Sequence, residues 1–576
     1  MWNIKIAKNI LGACVVSILF GGCSDFFEND LTSVVDTDGR VISTERDAFY
    51  QICGILQQMQ QVGDGRFISN ELRGDLLTQT RNSSQDLRDI EFFEADTTNQ
   101  YLNERKFYAL VNNCNYYIDR IDRNVFGTKS DTLVAPVKCI RAWAYLQLAL
   151  DYGHVRYFTY PILHVDESAG EITDFVVSEQ SLAEAGNSLL PEALIDTLIR
   201  DLQPYCPADG RAEVFPFTDG EYATVNSYPI TQLFIPVRFL LGELYLWRGD
   251  FSRAANMYYQ LMLDRKLSVN GTYRNTWANS TCEGLGSASW ITQFSSFSTS
   301  NVVSAIAYSG EYEKGMTRLP DLLGTDYQLG ASAVCRELFE NQQYTIGLNP
   351  VSVAGDLRGN GVIGDLGTYV MEYPSDDPME EERTDAYITK VRNMSYSGSY
   401  YATLCRAPLV YLRYAEAVNR LGKHQLAMAV LKYGLTAEVL SNGNYISRKE
   451  LTGEAWLDFG QVTPLYASIF ESNEGLHSRG CGDADMNASY VIDVSSTDSL
   501  TDVENKIMDE YVLECAFEGN RFHDLMRIAQ YRSDPTYLAG KVAEKLAGLS
   551  NSTRSREQWL DYLSDRKHWF LPSCVR

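Results

Sequence analysis

Two stretches of the chain carry residue types and spacings that could do chemistry. IMDEYVLECAFEGNRFHDLMR (507–527) sets Glu510, Glu514, Glu518 and Arg521 at helical spacing, with Arg527 beyond. Neighbouring carboxylates could exchange protons, but acid and base near i, i+3 and i+4 also pair along one helix face. Phe517, Phe522 and Leu525 lie among them, so the spacing predicts a helix locked to its neighbours by charge and apolar packing. GNGVIG (359–364) spells Gly-x-Gly-x-x-Gly. A dinucleotide site needs a strand before it, a helix after it and an acid about twenty residues on. Here Asp356-Leu357-Arg358 precedes and Asp365-Leu366-Gly367 follows, which reads as a turn. The same stretch imitates a calcium loop through Asp356, Asn360, Gly361 and Ile363. Arg358 occupies a ligand position, however, and Gly367 stands where a bidentate Glu is needed.

Other reactive sets are missing from the sequence. Its six His include no HExxH, no GxSxG occurs, and its 12 Cys form no CxxC. These absences weigh against a zinc hydrolase, one class of serine hydrolase, and zinc-ribbon or thioredoxin chemistry. A tethered hydrolase would need paired carboxylates facing one cleft, which the sequence does not display. The net charge of −25 repels nucleic acid. Aromatic residues make up 12% of the chain, with 36 Tyr, and when exposed they stack on sugars and peptides.

Internal repetition indicates the frame. In IPVRFLLGELYLWRGDFSRAANMYYQLM (235–262), Leu241, Gly242, Tyr245, Gly249, Ala254 and Tyr258 have the spacing of a tetratricopeptide repeat. Small Gly242 and Ala254 let two helices approach, and Gly249-Asp250 makes the turn. Asp250 is placed to cap the second helix, and Tyr245 and Tyr258 fill the wedge. The arrangement returns at 411–434, where Ala415, Gly422, Ala427 and Leu431 take the equivalent places and Lys423-His424 stands at the turn. A looser copy spans 138–158, with Gly153 at the turn and bulky Leu146 where a small residue is expected. The fold class predicted is mainly α: tetratricopeptide-like helix pairs near 101–160, 231–264, 405–434 and 503–530, in a right-handed superhelical scaffold. Such pairs stack to bury their apolar faces. Tyr-, Ser-, Gly- and Asn-rich insertions, notably 268–330 and 341–404, separate them and are expected to be irregular and to carry the ligand site.

The amino terminus speaks to location. Lys5 and Lys8 precede the eleven apolar-run residues Ile10 to Phe20, a length that suits a signal peptide and is too short to span a bilayer. Leu19-Phe20-Gly21-Gly22-Cys23 resembles a bacterial lipobox, with Phe20 where Leu is usual. Residues 1–22 are expected to be removed and Cys23 to be lipidated, leaving residues 23–576 as one folded body. No Pro- or Gly-rich linker divides that body.

Five segments in order resemble the SusD/RagB family of surface lipoproteins. They are YALVNNCNYYIDRID (108–122), KCIRAWAYLQLALDYGHV (138–155), GDLRGN (355–360) with YITKV (387–391), APLVYLRYAEAVNRLG (407–422), and the 507–527 segment. Asp25, Glu28 and Asp30, just past Cys23, resemble the signal that exports lipoproteins to the cell surface in the Bacteroidetes. The resemblance implies a non-enzymatic binding protein without a cofactor, anchored in the outer membrane and facing the exterior. Its implied partner is a SusC-like TonB-dependent barrel, over which it sits as a lid, delivering oligosaccharides or, in some members, peptides. A helical scaffold whose only partner is protein is the reading from another class. By analogy the pocket draws on 71–93, with Arg73, Asp75, Asn82, Phe92 and Phe93, and on 275–297, with Trp277, Trp290, Phe294 and Phe297. Trp290 is the foremost of these, since Ser, Thr, Gly and Gln surround it. The Arg73-Gly74-Asp75 tripeptide spells an adhesion motif, but the resemblance favours a role in the fold.

Overall fold

The structure is a computed structural model. It describes residues 41–102, 104–163, 171–269, 294, 301–309, 317–342, 356, 358–359, 368–372, 385–394, 399–457, 470–471, 473–481 and 499–574.

Its principal helices are α1 (Glu45–Arg73), α2 (Glu104–Arg120), α3 (Lys129–Tyr152), α4 (Glu192–Leu202), α5 (Val237–Arg248) and α6 (Phe251–Arg265). They continue with α7 (Ala407–Arg420), α8 (His424–Lys432), α9 (Ser499–Cys515), α10 (Arg521–Arg532), α11 (Thr536–Ala547) and α12 (Arg556–Ser564). Each packs on the next from α1 to α8, except that α3 and α4 are bridged by a strand pair as well as by direct contact. Helix α9 then lies against both α7 and α8, and α10 returns onto α1. The frame is therefore a succession of antiparallel, tetratricopeptide-like helix pairs whose last members brace the first.

Local chemistry explains the turns. Gly249 takes φ +78°, and Asp250 accepts a hydrogen bond from the Arg253 amide at 3.2 Å, capping α6. A Cβ at Gly242 would lie 2.7 Å from the Tyr258 ring, so only glycine lets α5 and α6 approach this closely. The α7–α8 turn lacks a local cap. Glu450, from beyond α8, supplies one by accepting from the Gln425 and Leu426 amides at 3.2 and 2.9 Å. Helix α3 is long and apolar enough to cross a membrane, but 89% of its most apolar window is buried inside the fold. It is the central core helix.

The described parts of the two insertions contain ordered strands, where irregular chain was expected. Val302–Ser309 pairs antiparallel with Ser399–Arg406, and Tyr369–Glu372 with Asp385–Ile388. Leu329–Ala331 pairs with Leu77–Gln79. Among the described residues each sheet has two strands. The 503–530 segment forms two helices, so the single helix predicted for 507–527 is not found. It is broken between α9 and α10, where Phe517 and Gly519 take positive φ.

That break redirects the charges. Glu510, Glu514 and Glu518 do not pair along their own helix face. They meet cations brought from the 341–404 insertion, from Arg406 just beyond it and from the 473–481 segment. Arg358 reaches Glu510 at 2.6 Å, Glu514 at 2.8 Å and Asp356 at 2.7 Å. Arg406 and Arg479 also reach Glu514, while Lys390 and Arg406 hold Glu518. All these groups are buried. Burial alone would raise the Glu514 carboxyl, but Arg479, Arg406 and Arg358 outweigh it and hold the group at about 2. The GDLRGN and YITKV motifs thus contribute Arg358, Lys390 and Asp356 to one buried network that clamps the 341–404 insertion to α9 and the turn after it.

Candidate functional site

The first helix positions the site. Thr44 caps α1, accepting from the Asp47 amide at 3.1 Å, and the helix runs for 29 residues. Gln57 and Gln61 are exposed on it. Gly63 and Gly65 sit inside it, each disfavoured there by about 1 kcal/mol relative to alanine. Close approach explains both. A Cβ at Gly63 would lie 1.9 Å from the Tyr308 hydroxyl, and one at Gly65 would lie 2.5 Å from the Tyr101 carbonyl oxygen. The glycines therefore let two tyrosine-bearing segments close on α1 from different directions.

Two cavities result. One, of about 220 Å³, lies between α1, residues 100–107, the end of α3 and Arg318. Its lining includes Gln61, Asp64, Arg66, Tyr101, Lys106 and Arg318. The other, of about 380 Å³, lies between α1, residues 225–233 and the strand at 302–309, with Tyr50, Cys53, Gln57, Asn226, Tyr228 and Tyr308 among its walls. Gln60 belongs to both and donates to the Ala307 carbonyl at 2.6 Å, fixing the ridge between them. Together they make a groove of amides, phenols and cations along one helix.

Internal bonds hold the walls. Asp64 accepts from Thr317 Oγ1 at 2.5 Å and from the Arg318 amide at 2.8 Å, tying that segment to α1. Burial raises the Asp64 carboxyl, opposed by those two bonds. Burial pushes the Arg66 guanidinium down, against the pull of Asp151 and Glu71. Arg66 donates to the side-chain oxygens of Gln147 at 3.3 Å and Asn520 at 2.6 Å. Burial pushes the Cys53 thiol up to about 11, so it is not a thiolate at neutral pH. No histidine is among the described residues lining either cavity. Among the described residues, no group of three or more His, Cys, Asp or Glu is placed to hold a metal ion. The arrangement suits reversible hydrogen bonding and ring stacking.

Those expected site residues that the structure describes lie elsewhere. Arg73 is interior: it pairs with Asp151 at 2.7 Å, donates to the Ser69 and Trp569 carbonyls, and stacks over Phe522. Asp75 is equally buried and accepts from Arg521 Nε at 2.6 Å and Nη2 at 2.8 Å. Burial would raise its carboxyl, but Arg521 outweighs this and holds it at about 2. These two residues serve the frame, which corrects their assignment to a ligand pocket. Phe294 is corrected likewise: it is 2% exposed, beneath Lys390 at 4.8 Å. Phe92 stacks on Trp559 and Phe93 packs on Phe522, so neither lines the groove. Asn82 is exposed but donates to the Asp326 carbonyl, away from both cavities. Cys23, Trp277, Trp290 and Phe297 lie outside the described residues.

Sequence reasoning missed Gln57, Gln60, Gln61, Asp64, Tyr101, Lys106 and Arg318. A signal was present in QQMQQVGDG (57–65), where a run of amides meets two glycines inside a helical stretch.

The architecture has solved counterparts. A SusD homolog from Bacteroides thetaiotaomicron VPI-5482 superposes with a TM-score of 0.57 at 15% identity, over 94% of this chain and 96% of its own. The fold is that of the SusD superfamily. A SusD superfamily protein from Bacteroides vulgatus ATCC 8482 gives 0.55 at 13% identity, over 90% and 95% of the two chains. A SusD-like carbohydrate binding protein from the same strain gives 0.51 at 13%, over 84% of each. No protein-family profile matches the sequence, and no curated protein matches it. The fold is thus shared at low sequence identity, and in this chain it rests on small residues at helix crossings and on a buried charge network.

Proposed function

We propose that this chain binds glycan fragments in the groove along α1 and does not alter them. The observation that carries this reading is the groove itself: Gln57 and Gln61 place amides beside Tyr50, Tyr101 and Tyr228, on either side of the fixed Gln60. Amides read sugar hydroxyls while ring faces take the CH groups, which is how flexible glycans are held in water. A solved protein of the same fold is described as carbohydrate binding, which supports the reading. On this proposal Cys23 carries the lipid anchor, several acyl chains hold the chain to the outer membrane, and a SusC-like TonB-dependent barrel receives the cargo. Trp277, Trp290 and Phe297 are further proposed contacts.

The test is calorimetry on the mature chain against a glycan panel and a peptide mixture. At least one glycan class is expected to give binding heat, weakened tenfold or more by Tyr101→Ala or Gln61→Ala. Heat with peptides and none with any glycan would overturn the reading in favour of peptide cargo. Chromatographic recovery of shortened glycan after incubation would overturn the claim that cargo is left intact.

A further inference from the structure

The smaller cavity has a charge balance unlike the chain that surrounds it. The chain carries 75 Asp and Glu against 50 Lys and Arg. This cavity is lined by Arg66, Lys106 and Arg318 against Asp64 and Asp151. Both acids are already engaged. Asp151 pairs with Arg73 at 2.7 Å and with His523 at 3.1 Å. Asp64 accepts from Thr317 with one oxygen and from the Arg318 backbone with the other, and its charge also attracts Lys106 and Arg318. Arg66 is oriented through neutral amide oxygens, with Asp151 and Glu71 acting on it by charge. Arg318 stands exposed at the rim. The lining thus holds one more cation than acid, and its walls also offer Gln61, Gln100 and Tyr101.

We propose that this cavity takes an anionic sugar residue, a uronate or a sulfated ring within an acidic glycan. The proposal rests on the glycan-binding reading above and narrows its cargo. At about 220 Å³ the cavity falls below the roughly 300–1,000 Å³ of sites for larger small molecules, which suits one ring. Charge-assisted hydrogen bonds from guanidinium or ammonium to carboxylate or sulfate are about twice as strong as neutral ones. They act at contact, whereas repulsion from the acidic surface is screened beyond about 8 Å at physiological ionic strength. The neighbouring larger cavity, without a cation among its described lining residues, is left for neutral rings of the same chain.

The experiment is calorimetry on the mature chain with three probes: oligogalacturonate, the same oligomer after reduction of its carboxyls, and a sulfated oligosaccharide of similar length. Galacturonate or the sulfated probe is expected to bind at least tenfold more tightly than the reduced, neutral oligomer. Which of the two does so identifies the anion. Arg318→Gln is expected to shrink that preference about tenfold, while Arg123→Gln, an exposed arginine in the segment joining α2 to α3, leaves it as it was. Equal affinity for charged and reduced oligomers overturns this proposal and leaves glycan binding standing. So does a preference that Arg318→Gln does not change, or that both variants reduce equally. Binding of peptides alone overturns both readings.

Discussion

Replacing Glu514 with Gln tests the buried network most directly. The carboxylate faces Arg358, Arg406 and Arg479 with no solvent access. Held at about 2 against an ordinary 4.5, it contributes on the order of 3 kcal/mol at neutral pH. Removing one partner of a buried pair costs about 3–5 kcal/mol by comparison, so the two routes agree. A group whose folded value is depressed stabilises fully above its unfolded value and loses that stabilisation as pH falls through its folded value. The deficit of the variant is therefore expected at pH 7 and should narrow from about pH 4.5 down towards 2. Urea unfolding followed by circular dichroism at pH 7 and pH 3 measures this, with hydrogen exchange of α9 amides as the local readout. A loss below about 1 kcal/mol at pH 7 would refute the reasoning. So would a deficit that stays constant with pH, since it would mean that Glu514 acts by shape and not by charge.

Three further outcomes are expected. Gly65→Ala puts a methyl 2.5 Å from the Tyr101 carbonyl, so residues 99–102 must shift at a cost of about 1–3 kcal/mol. Glycan affinity should fall with the melting temperature, and calorimetry of the folded variant shows whether it does. Gly249→Ala forces a side chain into φ +78° and should lose about 1–2 kcal/mol in chemical unfolding. Cys53, its thiol pushed up to about 11 by burial, should react with a thiol reagent at pH 8 far more slowly than the unfolded chain does, as measured by absorbance of the released reporter.

The sequence by itself determined the repeating helix pairs. Their turns rest on local properties: Gly249, Gly153 and Gly422 all take positive φ, Asp250 caps its own helix, and small residues recur at crossing positions. It also singled out Glu510, Glu514 and Glu518 by their helical spacing, and Asp356, Arg358 and Lys390 through the family resemblance of GDLRGN and YITKV. What it could not supply was their pairing, which joins residues more than a hundred positions apart. Only the tertiary structure decided that Arg73 and Asp75 face inward, since a polar tripeptide after a helix looks the same whether or not α10 and residue Trp569 cover it. The groove was hidden for the same reason. Its walls come from α1, the end of α3, and residues 100–107, 225–233, 305–308 and 318. A concave surface is a property of segments brought together, and no local window of residue types contains it.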